Sequence, residues 1–303
     1  MQKELAKTRS ISARTWILRA TQRLMTSELF FGHGTGDPSA EAFWIAAHVL
    51  KCDFDYLAGF PQTKLTVEQR RVADQVLERR VTTHKPLAYI LGEAWLTGVR
   101  FLVDERVIVP RSFIAETIDS ALPTWLPHRV ATVLDLCTGS GCLAILLARH
   151  FRRAQVDGVD LSDDALAVAR LNVRMHRLSR RVHPIRSDLF LSLGKKRYDL
   201  IVSNPPYVKD SSMRRLPSEY RHEPKLALAG GKDGLDLVRR ILRDAPTHLE
   251  AEGVLVCEIG HNRKALEEAY PTLPFIWLST EFGSDEVFLI NREGLIKQAS
   301  PSR

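Results

Sequence analysis

The sequence predicts an α/β protein, a doubly wound sheet of seven strands preceded by a small helical domain and a hairpin linker. Three observations carry that expectation. From Ile114 onward, short β-rich runs alternate with amphipathic helical stretches, the pattern that builds parallel sheets through crossover helices. The series then closes with two strands in direct succession, 275–281 and 286–291. Before Thr83 the apolar spacing is helical.

The helical domain is expected over residues 1–84. Trp16, Ile17, Ala20, Leu24 and Leu29 fall near helical spacing within 11–30. Pro38-Ser39 opens a second helix carrying Ala42, Phe43, Ile45, Ala46, Val49 and Leu50. Thr66 caps a third, whose apolar stripe is Val67, Val72, Val76 and Leu77. Phe31 to Asp37 holds three glycines and reads as a surface loop, with His33 as a structural hydrogen-bonding residue. Residues 85–112 are the expected linker, in which Arg100–Val109 reads as a hairpin turning at Asp104-Glu105 and Arg111 as one half of an interdomain ion pair.

The sheet domain is expected over 113–303. Its strands are 131–137, 155–161, 182–187, 199–203, 253–259, 275–281 and 286–291. Helices fill 114–122, 141–151, 163–177, 235–250 and 262–270. The last two strands turn at Gly283-Ser284-Asp285, and residues 298–303 read as a frayed tail.

Bulk properties narrow the classes. The longest apolar run falls short of the ~18 residues that cross a bilayer, and Met1–Ser10 is polar without an apolar signal core, so a cytoplasmic protein with no membrane contact is expected. Cys52, Cys137, Cys142 and Cys257 show no paired metal-ligand spacing, so no metal is expected and the thiols are read as free. Net charge is +7, of which residues 1–110, with fifteen Lys/Arg against twelve Asp/Glu, supply +3. A mildly basic surface suits weak contact with ribosomal RNA. Oligomeric state is not legible.

Two motifs mark the site. Val133-Leu134-Asp135-Leu136-Cys137-Thr138-Gly139-Ser140-Gly141-Cys142 is a strand running into a glycine loop and a helix. Such a loop brings backbone N–H groups close to a ligand. Its spacing fits a dinucleotide pattern, but Asp135 at the loop mouth repels a pyrophosphate and suits a ligand carrying ammonium and sulfonium charges. Asp160 closes the next strand, where a carboxylate accepts both hydroxyls of a ribose; Ser162 is better placed to cap the helix that follows. The second motif is Asn204-Pro205-Pro206-Tyr207, a stiff corner that ends the strand 199–203 because neither proline can donate to a ladder.

These motifs resemble the class I methyltransferases, and within them the glutamine side-chain amide methyltransferases. Val109-Pro110-Arg111-Ser112, Phe31-Gly32-His33-Gly34-Thr35, Glu219-Tyr220-Arg221-His222-Glu223-Pro224 and Gly234-Leu235 look like the subgroup that methylates ribosomal protein L-three. The likeness spans roughly residues 10–296, and Phe113 departs from the proline of the family pattern. It implies S-adenosylmethionine as cofactor, bound by Asp135, Cys137, Thr138, Gly139, Ser140 and Gly141 of the loop. Asp160 takes the ribose, Asp188 the adenine amino group, Leu189 the ring face, and Asn204 touches the cofactor from the far side. It implies a closing hairpin with an antiparallel last strand.

Asn204, Pro205, Pro206 and Tyr207 are implied to hold the acceptor, with Asn204, Pro205 and Tyr207 catalytic. An amide nitrogen is a poor nucleophile, so acceptors on Asn204 and Pro205 are expected to grip its N–H bonds and aim it, while Tyr207 walls the pocket. The expected activity is methyl transfer to a glutamine of ribosomal protein L-three, its protein partner. Rival readings are the same chemistry on a peptide-release factor, N6-adenine methylation of nucleic acid, and a non-catalytic ribosome-assembly factor. Residues 1–84 are expected to recognise the protein substrate, and 213–233 to form a lid.

Overall fold

The computed structural model describes residues 10–126, 129–280 and 285–297. The chain falls into two compact units, one containing the residues up to Glu93 together with Pro217–His222, the other containing Ala94–Leu216 and the residues from Glu223 onward.

The first unit is helical, tied at one end by a two-residue ladder between β1 (Ile11–Ser12) and β2 (Lys64–Leu65). Its helices are α1 (Ala13–Met25), α2 (Pro38–Leu50), α3 (Phe54–Gly59), α4 (Val67–Thr83) and α5 (Leu87–Leu91). Caps set three starts. Ser12 accepts from the Thr15 amide, Asp37 accepts from those of Ser39 and Ala40, and Thr66 and Gln69 form a reciprocal capping box. The core joins Trp16, Ala20 and Leu24 to Ala42, Ile45 and Leu77. The buried stripe of α4 is Ala73, Leu77 and Arg80; Val67, expected in it, is 48 % exposed.

Arg80 is a charge on a core stripe, which an apolar pattern cannot reveal. It donates to Glu41 at 2.9 Å, to Glu219 at 3.3 Å and to the Phe30 carbonyl at 2.8 Å, with all three charged side chains buried. Burial pushes the Glu41 carboxyl up, against the pull of Arg80. The 31–37 segment is therefore not simply a surface loop. His33 is buried, with its ring 4.5 Å from that of Tyr220. Tyr220, like Glu219, belongs to the six-residue segment that this unit takes from the far part of the chain.

The hairpin lies earlier than expected. β3 (Glu93–Leu96) and β4 (Val99–Leu102) turn at Thr97-Gly98, both with positive φ, which the tight hairpin turn requires and Gly98 readily adopts. Asp104 instead folds back on Arg106 as a local turn. Arg111 pairs with Glu223 of its own unit, so the ion pair is not the interdomain one expected.

The second unit holds β5 (Thr132–Leu136), β6 (Gln155–Asp160), β7 (Val182–Arg186), β8 (Tyr198–Ser203), β9 (Leu249–Glu258), β10 (Ile276–Leu278) and β11 (Val287–Asn291). They form one seven-stranded sheet ordered β10-β11-β9-β8-β5-β6-β7. β11 is antiparallel to both its neighbours, as expected; of the turn expected at 283–285, Gly283 and Ser284 lie outside the described residues, as does the 298–303 tail. The helix expected over 114–122 is two short ones, α6 (Ile114–Thr117) and α7 (Leu122–Trp125), the second with Pro123 in its first turn. α8 (Cys142–His150), α9 (Asp163–Met175), α10 (Asp210–Met213), α11 (Asp236–His248), α12 (Arg263–Ala269) and α13 (Arg292–Lys297) complete the unit.

Alternate residues of one strand serve opposite layers. Val133 faces the core that holds Leu143 and Leu147 of α8, while Leu134 and Leu136 face the core that holds Val238 and Ile241 of α11. Strand order reverses between β5 and β8, where the carboxyl ends of two neighbouring parallel strands open a crevice.

Candidate functional site

The glycine loop leaves β5 and the Asn-Pro-Pro-Tyr corner leaves β8, so both motifs stand at that crevice. A cavity of about 400 Å³ opens there, entirely within the second unit. Of the loop, Cys137 and Gly139 line it. Asp160, Asp188, Leu189, Asn204 and Pro206 line it from the neighbouring strand ends. Asp135, Thr138, Ser140, Gly141, Pro205 and Tyr207 do not.

The loop is held from beneath by Asp135. One carboxylate oxygen accepts from the Thr138 hydroxyl at 2.5 Å and from the Ala144 amide at 3.0 Å. The other oxygen is buried with no hydrogen-bond partner among the described residues. Burial pushes this carboxyl up to about 7. Cys137 has φ +61°, an unusual backbone for a residue with a Cβ, and burial drives its thiol far upward. Gly139 and Gly141 also have positive φ, but a Cβ on Gly139 meets nothing within 4 Å, whereas one on Gly141 meets Ala169 of α9 at 3.2 Å. The first glycine keeps room at the cavity, and the second lets α8 pack against α9.

Asp160 accepts from the Gly139 amide at 2.9 Å and the Ser162 amide at 2.9 Å, and burial raises its carboxyl. Ser162 caps α9, as read from sequence, by accepting from Ala165. Asp157 serves the core, taking bonds from the Tyr198 hydroxyl and Lys196. Asp188 is paired with Arg240 at 2.9 Å, and Arg240 itself lines the cavity, a neighbour that sequence reading missed.

Asn204 donates its amide N–H to the Arg111 carbonyl at 3.2 Å, which leaves the side-chain oxygen as the acceptor. Arg111 is fixed in turn by a two-pronged pair with Glu223, 2.6 Å on each arm. Next to it, the Ser112 hydroxyl and Phe113 amide donate to Glu258 at 2.6 and 2.9 Å. Tyr207 donates its hydroxyl to the same carboxylate at 3.3 Å, so it braces the corner rather than walling this cavity. Burial pushes Glu258 up to about 7. Residues 111–113 thus form a brace that sets both Asn204 and Tyr207. Glu223 and Glu258 were not legible as its anchors, because each lies more than a hundred residues away in sequence. Of the expected lid, Pro224, Leu226 and Ala227 line the cavity, while 217–222 belongs to the first unit.

The PrmC N-terminal domain family matches residues 16–92, and the methyltransferase small domain family matches 112–217. Proteins named ribosomal protein uL3 glutamine methyltransferase are similar over nearly the whole chain. The one from Neisseria meningitidis is 50 % identical over 283 residues, 92 % of this chain and 93 % of its own. That from Bordetella pertussis is 50 % identical over 284 residues, covering 93 % and 95 %. Among solved structures, the hMettl16 catalytic domain in complex with MAT2A 3′UTR hairpin 6 superposes with a TM-score of 0.51 at 15 % identity, over 78 % of this chain and 91 % of that one. At that identity the likeness is one of fold.

Proposed function

Because the chain belongs to the family of ribosomal protein uL3 glutamine methyltransferases, we propose that it transfers a methyl group from S-adenosylmethionine to the side-chain amide nitrogen of a glutamine in uL3, the protein called L-three above. The observation that carries the reading is one cavity lined by Gly139 of the loop, by the Asp160 and Asp188 carboxylates and by Asn204, whose amide N–H is held by the Arg111 carbonyl, with the partnerless oxygen of Asp135 buried beneath the loop. A buried carboxylate oxygen without a donor fits a cationic ammonium.

The cofactor supplies an electrophilic methyl on a positively charged sulfur. Asp135 holds its ammonium, Asp160 the ribose hydroxyls, Asp188 the adenine amino group, and Leu189 packs on the ring. Cys137, Thr138, Gly139, Ser140 and Gly141 shape the loop around it. Asn204 and the Pro205 carbonyl accept the two N–H bonds of the substrate amide, turning its nitrogen lone pair toward the methyl. Pro206 keeps the corner stiff. Such orientation is worth up to about 7–11 kcal/mol. Glu258, through Tyr207 and Ser112, and Glu223, through Arg111, hold Asn204 against recoil. The surplus proton leaves after transfer, so no strong base is needed at the corner. The first unit recognises the protein substrate, and the reaction takes place in the cytoplasm.

The test is to incubate the purified chain with labelled S-adenosylmethionine and isolated uL3, then map the label by mass spectrometry. A single methyl on one glutamine is expected. Label on a release factor or on RNA adenine, with none on uL3, overturns the reading.

A further inference from the structure

Between Arg129 and Arg186 the chain has ten arginines and no lysine. The fold sorts these charges. The five acidic residues of the span are Asp135, Asp157, Asp160, Asp163 and Asp164. Three sit in strands and two at the start of α9, toward the cavity side. The arginines instead gather at the opposite edge, where strands begin and helices end. Arg149, Arg152 and Arg153 flank the turn from α8 into β6, and Arg174, Arg177 and Arg180 flank the turn from α9 into β7. All six are exposed, as is Arg129 just before β5.

Contacts hold these turns side by side. β6 lies between β5 and β7, with Gln155 opposite Thr132 and Val156 opposite Val182. Arg181 reaches from the second turn to the first, donating to the Ala148 carbonyl at 2.7 Å and closing on those of Phe151 and Ala154. His183 meets Gln155 at 2.9 Å. Nearby carboxylates are already engaged: Asp119 pairs with His150, and Asp199 accepts from Ala131 and Thr132. None of the seven exposed arginines pairs with a carboxylate among the described residues.

We propose that this arginine-lined strand edge, remote from the methyl-transfer cavity, is a docking surface for the phosphate backbone of structured RNA. Charge complementarity carries the argument. Like charges held together without counter-charges are stabilised by a polyanion, and the guanidinium fork takes two oxygens of one phosphate where lysine offers a point charge. Guanidinium groups that pair with phosphate oxygens hold the backbone rather than base edges, so the contact is insensitive to sequence. The choice of RNA over another polyanion rests on the proposed ribosomal substrate; the surface itself does not.

The experiment measures binding of the full chain to a fluorescein-labelled RNA hairpin of about two helical turns over a range of KCl concentrations, by anisotropy. Affinity should fall steeply with salt. Arg149→Gln/Arg152→Gln/Arg153→Gln and Arg177→Gln/Arg180→Gln should each lower it at least about tenfold and flatten the log–log salt slope by about one or more. S-adenosylmethionine affinity and methyl transfer to isolated uL3 should match the parent in both variants. A parent that does not bind the hairpin, or variants that bind it as well as the parent, overturns the proposal. So does equal binding to polyglutamate of the same charge, which points to an acidic protein. Loss of uL3 methylation in the parent with RNA binding intact strikes the proposed substrate and leaves the surface standing.

Discussion

Asp135 is a buried carboxyl to which the proposed function gives a ligand as partner. Its folded-state value near 7, raised by burial, lies above the unfolded range near 4, so the folded protein binds the extra proton. Stability without cofactor therefore falls as pH rises through that window and is lowest above 7, and Glu258 adds to the trend in the same direction. Under the proposed function, cofactor affinity should run the other way, because an ammonium ligand needs the charged form. Thermal melts of the cofactor-free protein should drop between about pH 4 and 7. Asp135→Asn should flatten part of that drop and weaken S-adenosylmethionine binding at least about tenfold by calorimetry. Undiminished affinity in that variant removes Asp135 from the site. At Asn204 the expected loss is kinetic. Asn204→Ala should slow single-turnover transfer by about 100-fold or more, the scale of one lost active-site donor or acceptor, while cofactor affinity changes little. Near-parent transfer would reduce Asn204 to a turn residue. Both residues were legible in the sequence because short, stiff motifs carry them. Their supports were not: the Arg111 carbonyl, Glu223 and Glu258 arrive by folding, from positions with no local signature.

At the scale of elements, the two loop glycines separate a ligand effect from a packing effect. Gly139→Val meets no protein atom within 4 Å of its Cβ but must hold φ +55°, so the fold should survive with a moderate loss while cofactor binding collapses. Gly141→Val adds a clash with Ala169 and should destabilise the second unit more than Gly139→Val does, which paired denaturation curves would measure. Equal losses in both stability and binding would erase the distinction. In the first unit, Arg80→Met leaves Glu41 and Glu219 buried without their counter-charge. A loss of about 3–5 kcal/mol is expected in urea titration, and a loss below about 1 kcal/mol would show that the two acids find another partner. The regular helices and all seven sheet strands were legible because their periods are clear. The hairpin was misplaced because Asp104-Glu105 resembles a turn, whereas Thr97-Gly98 has the backbone that a two-residue hairpin needs. Val67 was misread on α4 because the stripe closes on a charged residue, and a pattern built from apolar side chains cannot count one.

At the scale of the whole molecule, the strands and the backward run of the last one were readable, and their spatial order and the partition of the chain were not. The terminal strand pair, with the closing hairpin that the family resemblance implies, gives a sheet whose last strand runs backward. Nothing in Pro217–His222 announces that those six residues complete the helical unit, since the reason is Arg80, which waits there for a second acid. Trypsin offers a measure. Arg221 should be cut about tenfold faster in a fragment beginning at Ala94 than in the intact chain, because its segment then has no Phe30 amide or Arg80 to close on. Equal rates would mean that the segment is ordered without that unit.

This borrowed hexapeptide also limits how the protein can change. A module encoded as one continuous stretch can be exchanged, duplicated or deleted in a single genetic event. Here the helical unit is encoded in two stretches, and the second lies inside the gene for its neighbour. A recombined helical unit would meet a foreign Glu219 and Tyr220, and would have to match them on arrival. On the proposal that the helical unit reads the protein substrate, substrate range changes by substitution at matched positions, and chimaeras joined at Glu93 should fold only when residues 217–222 travel with the helices they complete.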